Sequence, residues 1–122
     1  MKGMEKALFI VTHSEDDAER ATLPFVMAVT ALASDMQATI VLQMAGVWLA
    51  KEGHAKIVHE SPFPPIIELI EQFKEAGGRL LVCQPCLKKR QIEPGELIEG
   101  AVIVNAPIII KEAGEAKSVM VY

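Results

Sequence analysis

Short apolar runs alternate with amphipathic segments along this chain. Runs rich in β-branched residues predict buried β-strands over residues 6–12, 37–44, 79–83, 101–105 and 117–122. Between the first two strands, the pattern predicts a helix from Ser14 to about Ala33, with Ser14 as its N-cap and Asp17 as the capping-box partner. Pro24 is expected to kink or split this helix, because proline has no N–H group to donate.

Further helical segments separate the remaining strands. Helical turns are predicted over residues 45–53, 66–78 and 84–91 and from Pro107 onward, with a proline-rich loop over 54–65. Asn105 can cap the last helix, since proline is favoured in a first turn. The alternation predicts a single α/β domain over residues 1–122: a three-layer sandwich of a mostly parallel five-stranded sheet with helices on both faces.

Composition narrows the class of protein. A length of 122 residues fits one domain, and a net charge of -4 provides no basic field for direct nucleic-acid binding. Hydrophobic residues make up 51% of the chain, which leaves apolar surface for a partner subunit. Residues 25–33 are apolar on nearly all sides, so we expect that helical stretch to be covered on both sides. No apolar stretch reaches the roughly 18 residues of a membrane span, and no signal peptide is visible, so a cytoplasmic location without a membrane is expected.

The candidate chemistry lies at Cys83 and Cys86. Cytoplasmic thiols stay mostly reduced, so a close cysteine pair suggests catalysis or metal binding before a structural disulfide. Cys83 ends the third strand, and Cys86 falls in the first turn of the next helix. Unpaired backbone N–H groups and the basic residues at 88–90 predict a lowered pKa for at least one of the two thiols.

Three residues after other strands are candidates for the same site. In parallel sheets, ligands bind outside the carboxyl ends of the strands. His13, Gly46 and Asn105 follow three of these ends, so we expect them to meet around Cys83 as a substrate pocket. His13 could position or protonate a substrate there, although a solvent-exposed histidine fits the same pattern.

Other interpretations of the cysteine pair stay open. Both thiols could be small buried core residues. A zinc site would need His54 and His59 to fold over the cysteine pair. A thioredoxin-type oxidoreductase would also use such a pair, but its motif normally lies nearer the start of a domain. No phosphate-binding or dinucleotide motif is present, so no cofactor is expected. No metal is expected either, because a site needs about four ligands and the chain has only two cysteines. Trp48 is interpreted as a packing residue.

The order of four segments resembles the DsrE/DsrF-like family, which includes the TusD-type sulfur-relay subunits and has a YchN-like fold. The segments are "ALFIVT", "IVLQMAGVWLAKEG", "LLVCQPCLKKRQI" and "GAVIVNAPIIIKEAGEAKSVMVY". The resemblance covers nearly the whole chain. One departure is Gln91, which stands where the family often has glycine after the basic residue.

This resemblance implies a function and an assembly. It implies a persulfide-carrying cysteine at Cys83, with Cys86 as a less certain second thiol, and sulfur donor and acceptor proteins as partners. It also implies assembly, either into trimers or hexamers or into mixed complexes, of which we expect a homo-oligomer. Our leading hypothesis is therefore a sulfur carrier or sulfurtransferase. The alternatives are a dithiol–disulfide oxidoreductase using both cysteines and a non-catalytic oligomeric module that binds a small ligand.

Overall fold

A parallel β-sheet organises the chain in the computed structural model, which describes residues 4–122. Its five strands are β1 (Lys6–Val11), β2 (Gln37–Leu42), β3 (Arg79–Cys83), β4 (Ala101–Val104) and β5 (Ser118–Val121). They lie in the order β4-β3-β2-β1-β5, and every neighbouring pair is parallel. The predicted five-stranded α/β fold is confirmed.

Helices cover both faces of this sheet. They are α1 (Ala18–Ala33), α2 (Ile66–Glu75), α3 (Gln84–Lys89) and α4 (Ala106–Glu115). Short 3-10 helices span Glu15–Asp17, Met44–Ala50, His54–Ile57 and Pro94–Glu96. The strands from β1 to β4 step in one direction, so right-handed crossovers place α1, α2 and α3 on one face. The chain then returns to β5 beside β1, which places α4 on the opposite face.

The core lies between the sheet and its first two helices. Phe25 of α1 and Phe73 of α2 are fully buried, and their rings meet edge to face with centroids 6.1 Å apart. This geometry places the positive edge of one ring on the negative face of the other. In the central strand β2, every residue after Gln37 is buried, as expected for a parallel strand covered on both faces. In the described part of the chain, no helix is long and apolar enough to cross a membrane.

The start of α1 differs from the prediction. Asp17 rather than Ser14 is the N-cap, and its Oδ1 accepts a hydrogen bond from the backbone N–H of Arg20 at 3.1 Å. Ser14 makes no capping hydrogen bond, because a short 3-10 turn separates it from the helix. The predicted split at Pro24 is also wrong, since α1 continues through it. Only one backbone hydrogen bond is lost there, and the proline ring is buried in the core.

The second half of α1 is more exposed than expected. Phe25 and Ala28 are buried, whereas Met27 and Thr30 are exposed. The expectation that residues 25–33 are covered on both sides is therefore wrong for the single chain. The reason is topological, because α1 lies in an outer layer and has the sheet on one side only.

Asn105 and Gln91, two residues at helix ends, were singled out by the sequence pattern. Asn105 occupies the N-cap position of α4, but its side chain makes no capping hydrogen bond. Gln91, which follows α3, has a φ of 57°. Glycine adopts this left-handed conformation most easily. The turn after α3 therefore keeps a glycine-type backbone even though the residue is glutamine.

Gly46 lies where the ends of β1 and β2 meet. The backbone N–H of Gln43 donates to the carbonyl oxygen of Val11 at 3.0 Å. A Cβ atom on Gly46 would overlap this same carbonyl oxygen. Glycine is therefore required here by a close approach between two backbone segments, which holds the segment after β2 against the end of β1.

We expect Gly46→Ala to lower the free energy of unfolding by about 1–3 kcal/mol, because the added methyl group forces the backbone apart. The matched control is Gly114→Ala within α4, where an added Cβ has no neighbour within 4 Å. This control should raise the free energy of unfolding by roughly 0.5–1 kcal/mol, since alanine favours helix. Urea denaturation measures both, and an unchanged stability for Gly46→Ala would contradict the close approach.

Candidate functional site

The two cysteines lie at the carboxyl edge of the sheet but in different surroundings. Cys83 ends β3 and its exposed fraction is 8%, whereas Cys86, in the first turn of α3, is only partly buried. The backbone N–H of Met44 donates a hydrogen bond to Cys86 Sγ at 3.1 Å. Met44 follows β2 and Cys86 follows β3, so the segment after one strand donates a hydrogen bond to the thiol after the neighbouring strand.

An arginine side chain also contacts this segment. Arg90 Nη1 donates to the carbonyl oxygen of Cys86 at 3.1 Å. Because α3 has six residues, its carbonyl groups have few partners within the helix, and the guanidinium satisfies one of them. The contact places a fixed positive charge beside the cysteines, whereas Lys88 and Lys89 are exposed.

The pKa of the Cys83 thiol is raised above its ordinary value. Burial is the largest cause, followed by the hydrogen bond with the Cys86 side chain. The backbone N–H of Cys86 and the charge of Arg90 act in the opposite direction but are outweighed. The expected lowering of a cysteine pKa is therefore wrong for Cys83, because desolvation of the thiolate exceeds the stabilisation from the helix start.

Cys83 borders a small pocket with a volume of about 150 Å³. Its other lining residues come from the ends of β2 and the starts of α3 and α4: Gln43, Pro85, Ala106, Ile109 and Ile110. None of these side chains is charged. The pocket therefore offers an apolar environment beside the Cys83 sulfur.

None of the three predicted pocket residues is among the residues that line this pocket. His13 Nδ1 lies 2.7 Å from Asp16 Oδ2, in the short 3-10 helix before α1. The pKa of Asp16 is lowered, chiefly by the hydrogen bond from the backbone N–H of Ser14 and then by His13. Gly46 serves the backbone packing described above, and Asn105 is exposed beside the lining residue Ala106. The assignment of His13, Gly46 and Asn105 to substrate binding stays a prediction.

The other two histidines, His54 and His59, make hydrogen bonds with residues that do not line the Cys83 pocket. His54 Nε2 lies 2.7 Å from Glu15 Oε1, and the His54 ring stacks on Trp48 at a centroid distance of 5.1 Å. The hydrogen bond from His54 is the main cause of a lowered pKa at Glu15. His59 Nε2 lies 2.9 Å from the carbonyl oxygen of Phe63. Within residues 4–122, no group of three or more cysteine, histidine or acidic side chains could hold a metal ion.

Two contributions to the site were missed in the sequence. The Met44 N–H is a backbone group, so its residue type carries no signal for its role. Ile109 and Ile110 lie in a β-branched run that predicts a short helix or an extension of the strand, and this pattern carries no signal for a pocket. Their position could have been inferred, because α4 begins where β4 ends, and its first turns must lie at the edge of the sheet that carries Cys83.

The chain is an α/β domain with a parallel five-stranded sheet and a buried cysteine at the carboxyl end of β3. The chain belongs to the DsrE/DsrF-like family, which it matches over residues 5–122. This family is generally related to sulfur relay. Both the predicted family and its fold are thereby confirmed.

Individual relatives extend over the same length. The chain is 32% identical over 117 residues to uncharacterized protein MJ0989 of Methanocaldococcus jannaschii, covering 96% of this chain and 99% of the relative. The ychN protein from E. coli shares the fold with a TM-score of 0.82 at 16% identity, covering 98% of this chain and 100% of its own. Protein MTH1491 from Methanobacterium thermoautotrophicum gives a TM-score of 0.74 at 18% identity, with coverages of 97% and 99%. At these identities the two structures show a common fold alone.

Cys86→Ala is expected to lower the pKa of Cys83. The substitution removes the side-chain hydrogen bond and the charge of Cys86, both of which raise that pKa, and it keeps the Cys86 backbone N–H. The pH at which iodoacetamide alkylation of Cys83 reaches half its maximal rate should therefore fall relative to the wild type. Peptide mass spectrometry measures this rate for each cysteine, and an upward shift of the midpoint would contradict the assigned causes.

Proposed function

We propose that this protein is a sulfur carrier or sulfurtransferase that moves sulfane sulfur as a persulfide on Cys83. The observation that carries the proposal is the placement of Cys83, which borders an apolar pocket beside a second thiol. Membership of a family related to sulfur relay supports the same conclusion. We place this activity in the cytoplasm, where thiols stay reduced, with proteins as sulfur donor and acceptor.

The pocket has room for an additional sulfur atom. Its volume of about 150 Å³ exceeds by about tenfold the roughly 10–15 Å³ that a water-sized group needs. Apolar walls favour a polarisable, weakly hydrogen-bonding sulfur over a hydrated anion, because a charged ligand would lose its hydration without a partner.

The loading step exchanges one S–S bond for another. The Cys83 sulfur attacks the terminal sulfur of a persulfide, R–S–SH, where R is the group that delivers the sulfur to Cys83, and the S–S bond of that persulfide breaks. R–S⁻ leaves and takes the proton released by Cys83, which gives Cys83–S–SH and R–SH without net oxidation. The backbone N–H of Cys86 favours the anionic form of Cys83 and so stabilises the thiolate that makes the attack.

A dithiol–disulfide oxidoreductase is the second candidate function. It is favoured by the nearness of the two thiols, since the Cys86 side chain contributes to the raised pKa of Cys83. In that reaction both thiols are oxidised to a disulfide and the substrate disulfide is reduced to two thiols. Both cysteines would then be required equally, whereas a carrier requires Cys83 above all.

We also propose that the chain forms a homo-oligomer, either a trimer or a hexamer. The α4 side of the molecule exposes large apolar side chains: Val102, Ile108, Ile110, Val119 and Val121. The side chain of Arg79 in β3 lies on the face of the sheet that α4 covers, because it donates a hydrogen bond to Glu112 of α4 at 3.0 Å. Val102 pairs with Leu81, two residues after Arg79, and therefore points to the same face. A second copy on this side would bury these residues.

Incubation with a persulfide donor should add one sulfur atom to Cys83. Intact and peptide mass spectrometry should detect this gain, and a reductant should remove it. Cys83→Ser should leave no stably held sulfur, whereas Cys86→Ser should still carry sulfur on Cys83. Formation of a Cys83–Cys86 disulfide alone, with both cysteines needed for disulfide reduction, would instead support the oxidoreductase.

Ile110→Glu should dissociate the oligomer. Ile110 is 71% exposed on α4 and lies beside the Cys83 pocket, so a carboxylate there would be buried without a partner in an assembly. The matched control is Ile57→Glu, since Ile57 is 64% exposed but lies in a 3-10 helix away from α4. Light scattering after size exclusion gives the mass of each. A monomeric wild type would contradict the proposed assembly.

A further inference from the structure

We propose that Cys86 is the thiol that exchanges sulfur with outside donors and acceptors, and that it passes the sulfur to Cys83 within the chain. This inference rests on the proposed carrier function and assigns the two cysteines different tasks. Cys86 would be the exchange thiol, and Cys83 the storage thiol.

Access to solvent separates the two thiols. Cys83 is 8% exposed at the buried end of β3. Cys86 is partly exposed in α3, and its neighbours Gln84, Pro85 and Met44 are exposed as well. A donor larger than a few atoms therefore reaches Cys86 before Cys83.

The Met44 N–H gives Cys86 a fixed hydrogen-bond donor at 3.1 Å. Three backbone features hold this donor in place. Met44 adopts a left-handed φ of 54°, the N–H of Gly46 donates to the Gln43 carbonyl at 2.9 Å, and the N–H of Gln43 donates to Val11 at 3.0 Å. A donor positioned in advance stabilises negative charge on Cys86 Sγ without reorganisation. Cys86 is thereby suited to leave as a thiolate when a persulfide bond breaks.

Two balanced steps follow from this arrangement. In the first, Cys86–SH and a donor R–S–SH give Cys86–S–SH and R–SH. In the second, the Cys83 sulfur attacks the terminal sulfur of Cys86–S–SH, and the bond from that sulfur to Cys86 Sγ breaks. The proton of Cys83 passes to Cys86, which gives Cys83–S–SH and Cys86–SH. Delivery to an acceptor reverses both steps.

The pocket favours attack on the terminal sulfur. Cys83 borders about 150 Å³ of apolar space that can receive the transferred atom. The competing attack on Cys86 Sγ would instead form a Cys83–Cys86 disulfide and release H₂S. The two routes have different products, so they are separable in one experiment.

The Cys86→Ser variant tests the two roles. Its rate of sulfur loading is compared with that of the wild type, once with a bulky sulfur donor and once with a small one. The bulky donor is glutathione persulfide, and the small one is inorganic polysulfide. Relative to the wild type, we expect the initial rate of sulfur loading on Cys83 to fall at least about tenfold with glutathione persulfide and less than about threefold with polysulfide. Quenched-flow sampling and peptide mass spectrometry measure these rates. A change in the pKa of Cys83 would affect both donors alike, so the ratio of the two rates reports access.

Cys83→Ser is the complementary variant. It should load Cys86 from glutathione persulfide at the wild-type rate but lose that sulfur rapidly to an added thiol. Circular dichroism confirms folding of each variant. Equal loading of wild type and Cys86→Ser by both donors, or an equal loss with both, overturns the proposal. Release of H₂S with a Cys83–Cys86 disulfide also overturns it. If the wild type acquires no sulfur on either cysteine from either donor, the carrier function itself fails.

Discussion

The parallel alignment of β1, β2 and β3 is the constraint on which the cysteine site depends. Because the three strands run the same way, the segments that follow them are brought to one edge of the sheet. The hydrogen bond from Gln43 to Val11 and the close approach at Gly46 then hold the β2 connection against β1. From that position Met44 reaches Cys86. Without this alignment, the pair would be two thiols at the start of a short helix.

A competition between burial and local polar groups decides the chemistry of Cys83. The helix start and Arg90 favour a thiolate, but desolvation and the neighbouring thiol disfavour it more strongly. A buried neutral thiol is a poor first nucleophile, because the thiolate is the reactive form. It is better suited to hold a sulfur atom that arrives from a nearby, more accessible group. The difference in exposure between Cys83 and Cys86 thus becomes a difference in proposed function.

Helix α4, which connects β4 back to β5, completes the Cys83 pocket and also exposes apolar side chains to solvent. Helix α4 crosses from β4 to β5 alone, and Ile109 packs inward while Ile110 is exposed. Ile110 also borders the Cys83 pocket. A partner on this surface would therefore cover the pocket as well as the isoleucine. In our proposal, assembly and protection of bound sulfur depend on the same helix.

The local pattern of residues determined the strands, the main helices and the position of the cysteine pair. Periodicity reports which side of an element is buried, and the alternation of elements restricts the connections to a parallel sheet. The environment of the cysteines was decided only by the tertiary structure. The pKa direction of Cys83, the Met44 donor and the walls supplied by α4 all arise from contacts between residues distant in sequence. Desolvation depends on what surrounds a group in space, and a sequence pattern of local spacing does not contain that information.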